Sequence, residues 1–297
     1  MRQSVIRHVF ANTCAIGWLP PDLDVNSLAG RRGDAARPVT GIPMEIVGTG
    51  FLIGPQHVLT CAHVLYGMGR KGIRASQVIC AFVISFDNDS SSEIIFRWNF
   101  KPSDLVPLRA EVPSDKPHVT PPEDCAVIRL GPDLDWPKQT GPMPGLTPAH
   151  PDSIYLGQPI VISGYFMANR LLDLKGAAQA RFGPLILHGH LAAIGPAAPT
   201  WRESTADFLL DIAAQPGLSG APVCDEEGRV FAMFTGGVER NLNYPDGAEI
   251  PNGPRPTYSV GLGRAVPLYA QAVPGMIEAA DSAARSAEGL SDAGPAG

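Results

Sequence analysis

Residues 44–65 read MEIVGTGFLIGPQHVLTCAHVL. Two apolar runs stand on either side of Gly54-Pro55-Gln56-His57. Proline fixes one backbone angle and removes an amide donor, so the tetrapeptide reads as a turn and its flanks as strands. Working outward, 78–86 and 94–100 flank a polar tip, Asp87–Glu93, and read as a hairpin, and 124–130 reads as a short strand. Residues 5–19 alternate loosely and are expected to be the first strand. Further strands are expected at 159–165, 184–194, 206–213, 221–224, 229–235 and 258–263. Residues 20–43 and 236–257 read as long polar loops. Between Pro132 and Pro151 six prolines interrupt any periodic pattern, which marks a linker. The expected organisation is an all-β protein with halves at 1–131 and 152–265 joined by 132–151. A helix at 266–285, broken or restarted at Pro274, and a frayed tail at 286–297 follow.

Composition agrees with this layout. The chain has 32 glycines and 30 prolines among 297 residues, about a fifth of it against a usual ~12%. Helix breakers at that density exclude a helical bundle and favour short strands joined by turns. A net charge of −6 offers nothing to a phosphate backbone, so nucleic acid is not an expected partner. No segment reaches ~18 uninterrupted apolar residues, so no membrane span is expected. Arg7 and His8 interrupt the N-terminal apolar run, which therefore reads as strand rather than secretion signal. The five cysteines are odd in number and widely spaced, without a C-x-x-C pair. That is poor spacing for zinc and a low count for a disulfide-stapled domain, so the expectations are a cytoplasmic protein, no metal and no cofactor.

Three short motifs carry chemistry. Ser219 lies in Pro216-Gly217-Leu218-Ser219-Gly220-Ala221-Pro222. Its glycines permit a tight turn that exposes the hydroxyl and aims the Gly217 and Ser219 amides at one developing oxyanion. His63 lies in Leu59-Thr60-Cys61-Ala62-His63-Val64, at the end of a patterned strand, and Asp124 opens the strand Cys125–Leu130. A hydroxyl that attacks, an imidazole that removes its proton and a carboxylate that fixes the tautomer are the three groups serine-based acyl transfer requires.

Taken in chain order, GTGFLI, LTCAHV, DCAVIRL and PGLSGAP resemble the trypsin/chymotrypsin-like serine peptidases over residues 44–268. Asp124 follows His63 by 61 residues and Ser219 follows Asp124 by 95. The order His, Asp, Ser excludes the subtilisin and α/β-hydrolase orders. The resemblance implies two antiparallel Greek-key β-barrels with the catalytic cleft between them, and a hydrolase cutting protein or peptide substrates. It is closest to the bacterial, disulfide-free branch that includes the high-temperature-requirement proteases. By the same resemblance, Val230–Thr235 borders the substrate, Thr235 hydrogen-bonds near Asp124, and Gly236 and Gly237 lie along the substrate backbone. Ala213, six residues before Ser219, falls near the specificity-pocket floor, where it offers no charge to a Lys or Arg side chain. Leu218 replaces the aspartate that digestive enzymes pair with a newly cut N-terminus, so activation by that ion pair is not available.

The rival expectation is a catalytically silent peptide-binding or scaffold protein on the same fold. A latent enzyme awaiting a regulatory protein partner is the third. His188 and His190, two apart on an expected strand, share a face but have no acidic partner close in sequence. Cys61 and Cys125 adjoin the presumed catalytic residues and read as buried thiols acting as small hydrophobes.

Overall fold

The computed structural model describes residues 2–19, 44–85, 92–98, 100–108, 124–131, 143–165, 183–195, 207–213, 215–241, 257–268 and 272–292. The loop 20–43, the hairpin tip after Ser85 and the start of the linker, 132–142, lie outside them.

The hairpin expected at 44–65 forms. Strand β2 (Glu45–Gly54) turns through Pro55 and Gln56 into β3 (His57–Cys61), with Gly54 opposite His57. β2 also pairs with β1 (Thr13–Trp18), and β1 pairs with β4 (Val78–Ser85), which carries β5 (Ser92–Trp98). On the other side β3 meets β7 (Cys125–Arg129), which meets β6 (Leu105–Leu108). The result is a seven-stranded antiparallel sheet in the order β5-β4-β1-β2-β3-β7-β6. The second half is a closed barrel in the order β10-β13-β12-β11-β8-β9. Its strands are β8 (Pro159–Gly164), β9 (Leu185–Gly195), β10 (Asp207–Leu210), β11 (Pro222–Cys224), β12 (Val230–Asn241) and β13 (Thr257–Pro267). Each half has its own core, one around Phe51, Leu59, Phe82 and Ile128, the other around Ile162, Leu210, Phe231 and Phe234.

Four expectations are corrected. Residues 5–19 are not one strand: α1 spans Gln3–Ala11 and β1 begins only at Thr13. Val5, Ile6, Val9 and Phe10 recur at helical rather than alternating spacing, and Val9 is fully buried. The strand leading to His63 ends at Cys61, and His63 occupies the first turn of α2 (Ala62–Arg70). The loop expected at 236–257 is strand at both ends, since β12 runs to Asn241 and β13 starts at Thr257. The final helix, α3, spans Ala272–Asp292 rather than 266–285, and 266–267 belong to β13. Pro274 sits in its first turn, where a missing amide breaks no helical bond, so it does not interrupt the helix.

The described part of the linker joins the halves. Leu146 donates its amide to Leu52 of β2 at 2.7 Å, and Ala149 donates to Val230 of β12 at 2.7 Å. From the chain's far end, α3 returns to the first half. Ala272, Met276, Ala280 and Ala284 recur every fourth residue as its buried stripe. On the same helix Asp281 Oδ1 accepts from Arg129 Nε at 2.9 Å and lies 3.1 Å from His57 Nε2. His57 and Arg129 are cross-strand partners at the distal ends of β3 and β7. Burial raises the Asp281 carboxyl, but the hydrogen bonds and charges of His57 and Arg129 outweigh it and hold the group below its ordinary value.

Candidate active site

His63 and Asp124 meet where β3 and β7 end side by side. The register places Cys61 opposite Cys125, and Ala62 donates its amide to the Asp124 carbonyl at 2.9 Å. Asp124 has φ of +63°, and it is the only described non-glycine residue with positive φ. Aspartate tolerates this left-handed conformation better than most residues, and here it turns the carboxylate over the start of α2. Oδ1 accepts the His63 amide at 2.8 Å, satisfying one of the first-turn donors that a helix cannot pair internally. Oδ2 lies 2.5 Å from His63 Nδ1. An ionised carboxylate only accepts, so the shared proton belongs on Nδ1 and Nε2 keeps its lone pair. The imidazole is half exposed, with its side chain 49% accessible.

Ser219 is carried by the second half. Leu218 donates its amide to the Gln215 carbonyl at 3.2 Å, Pro216 holds the second position and Gly217 has φ of +97°. These features define a type II turn, which needs positive φ at its third residue. Gly220 follows at φ +88°, packed so closely that a Cβ there would lie 2.0 Å from the Thr49 carbonyl oxygen. Among the described residues, the Gly217 and Ser219 amides have no hydrogen-bond partner. The Ser219 hydroxyl donates to the Thr235 carbonyl at 3.3 Å, and among the described residues this is its one hydrogen bond. The Thr235 hydroxyl donates to the Arg264 carbonyl at 3.3 Å. Gly236 and Gly237 lie on β12 opposite Arg264 and Gly263, and Ala213 is exposed beyond the end of β10.

All five cysteines are free and buried. Burial first, then the Asp124 charge, pushes the Cys61 thiol well above its ordinary value, and its Sγ donates to the Phe234 carbonyl at 3.4 Å. Cys61, His63 and Asp124 bring one donor atom each within 4.8 Å of one another. The 2.5 Å between Nδ1 and Oδ2 is nevertheless too short for two ligands that each sit ~2.0 Å from one tetrahedral zinc. As arranged, the pair shares a proton rather than a metal.

Two features of the structure are absent from the sequence reading. Thr49, fully buried on β2, donates its amide to the Ser219 carbonyl at 2.8 Å and its hydroxyl to the Gly217 carbonyl at 2.7 Å. Its signal was a single polar residue between two glycines inside an apolar run. The other is an acidic partner for His190: Asp211 Oδ1 accepts the His190 amide and Oδ2 lies 3.0 Å from His190 Nδ1. These two residues are 21 apart in sequence and adjacent only because β9 and β10 pair.

An all-β molecule in two halves, with a histidine and aspartate from one and a serine turn from the other, defines a serine-peptidase fold. Residues 48–233 match the trypsin-like peptidase domain, and the chain belongs to that family. Among solved structures it is similar to the HtrA-type protease AlgW with decapeptide, at 17% identity and a TM-score of 0.49, over 94% of this chain and 66% of that one. The same protease with tripeptide aligns at 16% identity and a TM-score of 0.45, over 89% and 58%. The chain thus spans less than two thirds of those proteins. No curated protein sequence matches it.

Proposed function

We propose that the chain is a serine endopeptidase, with Ser219 as nucleophile, His63 as general base and Asp124 as the group that orients it. The observation that carries this reading is the Asp124 carboxylate, bound to both the amide and Nδ1 of His63, at the seam where Thr49 also ties the Ser219 turn. That arrangement leaves Nε2 free to take the Ser219 proton as Oγ bonds to the scissile carbonyl carbon. The Gly217 and Ser219 amides would hold the resulting oxyanion. Collapse of the tetrahedral intermediate passes the proton to the leaving amine, and water then releases the acyl group by the same route. An extended peptide would run along β12 at Gly236 and Gly237, with its side chain toward Ala213. The free thiols fit a reducing compartment such as the cytoplasm.

A second reading has its own support. The Ser219 hydroxyl points its hydrogen bond at Thr235 and not at His63, which fits a resting or silent protein that a partner must switch on. A fluorophosphonate probe separates the readings. Labelling at Ser219 with peptide hydrolysis, both abolished in Ser219→Ala, is expected. Turnover should fall by ~10⁴-fold or more in that variant. Hydrolysis surviving the substitution would remove Ser219 from the mechanism, and labelling only after adding cell lysate would establish latency.

A further inference from the structure

Two peptide planes of the Ser219 turn are tied at both ends, and both ties involve Thr49. The plane joining Gly217 to Leu218 is tied at both ends: its carbonyl accepts from Thr49 Oγ1 at 2.7 Å and its N–H donates to Gln215 at 3.2 Å. The plane joining Ser219 to Gly220 is tied in the same way, its carbonyl accepting from the Thr49 amide at 2.8 Å and its N–H donating to Phe234 at 2.8 Å. The planes between and beside them, 216–217 and 218–219, carry the two amides without partners among the described residues, although the Leu218 carbonyl of the second accepts the Ala221 amide at 2.8 Å. One residue therefore supplies a hydrogen bond to each plane tied at both ends, and that residue belongs to the opposite half of the molecule.

Thr49 is itself fully committed. Its Oγ1 accepts the Tyr165 amide at 3.0 Å while donating to Gly217, and its carbonyl accepts from Thr60 Oγ1 at 2.8 Å. Both threonines are fully buried, so no water competes for these bonds. A hydroxyl that accepts from one backbone amide has its remaining proton aimed, and here the aim is the Gly217 carbonyl.

We propose that Thr49 is a positioning residue that sets the Gly217 and Ser219 amides from across the seam between the halves. This rests on the peptidase reading for its kinetic consequence, though not for its structural one. Thr49 touches no substrate; it acts by preventing rotation of the two planes that flank the oxyanion donors. Removing the hydroxyl takes the buried tie from the Gly217–Leu218 plane, leaving it held only by the 3.2 Å bond of the Leu218 amide, while the Ser219–Gly220 plane keeps its bonds to the Thr49 amide and Phe234. The loss should fall on transition-state binding, because the donors matter most when charge develops on the carbonyl oxygen.

The test compares Thr49→Val, which keeps shape and drops the hydroxyl, with Thr49→Ser, which keeps the hydroxyl. Thr49→Ala, whose smaller side chain leaves room for a water to meet the Tyr165 amide, is added in case valine does not fold. Expected for Thr49→Val is a kcat lower by about 10- to 100-fold, KM within about twofold, and slower fluorophosphonate labelling of Ser219. Thr49→Ser should return within about threefold of the parent. Amide NMR shifts of Gly217 and Ser219 should move in Thr49→Val and not in Thr49→Ser, whether or not the parent hydrolyses anything. A Thr49→Val protein with unmoved amide signals, or with parental kcat, overturns the proposal. An inactive parent whose amides respond as expected overturns the peptidase reading and leaves the positioning role standing.

Discussion

The two halves each contain a histidine–aspartate pair built to the same plan. In the first, Asp124 takes the His63 amide on one oxygen and Nδ1 on the other; in the second, Asp211 does the same to His190. The His–Asp geometry alone therefore does not define a catalytic site. The pairs differ in what surrounds them. His63 opens a helix at the seam, one residue from Val64, which packs at Gly48 beside the Ser219 turn whose two amides lack partners among the described residues; His190 is exposed on its strand and pairs with an aspartate at the end of the next. Asp124 is held in a left-handed conformation, at a backbone cost. Asp211 is not among the positive-φ residues, and both its side chain and that of His190 are about half exposed.

The largest test of this contrast is Asp124→Asn. An amide cannot hold the His63 tautomer as a carboxylate does, so kcat should fall by roughly 10⁴-fold, with little change in melting temperature. Parental turnover in a steady-state peptide assay would make the two pairs equivalent and remove the proposed role of Asp124.

An intermediate effect is expected at the brace behind the first pair. Asp281 holds His57 and Arg129, the far ends of the strands that carry His63 and Asp124. Its folded carboxyl lies below its unfolded value, so the stabilisation it gives is complete above pH ~4 and fades as pH falls through the folded pKa. Asp281→Asn should cost about 1–2 kcal/mol at neutral pH, with kcat within a few-fold. In urea titrations the gap between variant and parent should close below pH ~4; a gap independent of pH would show that the charge of Asp281 plays no part.

The smallest effect belongs to the second pair. Burial raises the Asp211 carboxyl, yet the His190 amide and ring outweigh it and hold the group low. Its exposure to water limits what that bonding contributes to about 0.5 kcal/mol. Asp211→Asn should leave peptide hydrolysis within about threefold. A loss comparable to Asp124→Asn would instead mean that the second pair belongs to the machinery.

Much of this arrangement was legible in the sequence, and the misses have physical causes. The 44–65 hairpin followed from an apolar–turn–apolar pattern that local chemistry sets. The contact between His63 and Asp124 was reached through motif order, because nothing local to either residue announces a partner 61 positions away. The turn before Ser219 followed from the glycines at 217 and 220. Short helices were misread because four apolar residues at 5, 6, 9 and 10 satisfy a loose strand pattern as well as a helical one. His190–Asp211 and Thr49 escaped because each depends on strand pairing or on contact between halves, which single-sequence spacing does not encode.

The brace formed by α3 also has a consequence in time. Asp281 follows its partner Arg129 by 152 residues, and a ribosome adding ~5–20 residues per second needs about 8–30 s to cover that distance. During that interval β3 and β7 have been made, and His63, Asp124 and then Ser219 have been added, while the distal ends of the strands are joined by their own ladder and not yet by Asp281. The chain thus makes the three residues of the proposed triad before the helix that braces their strands.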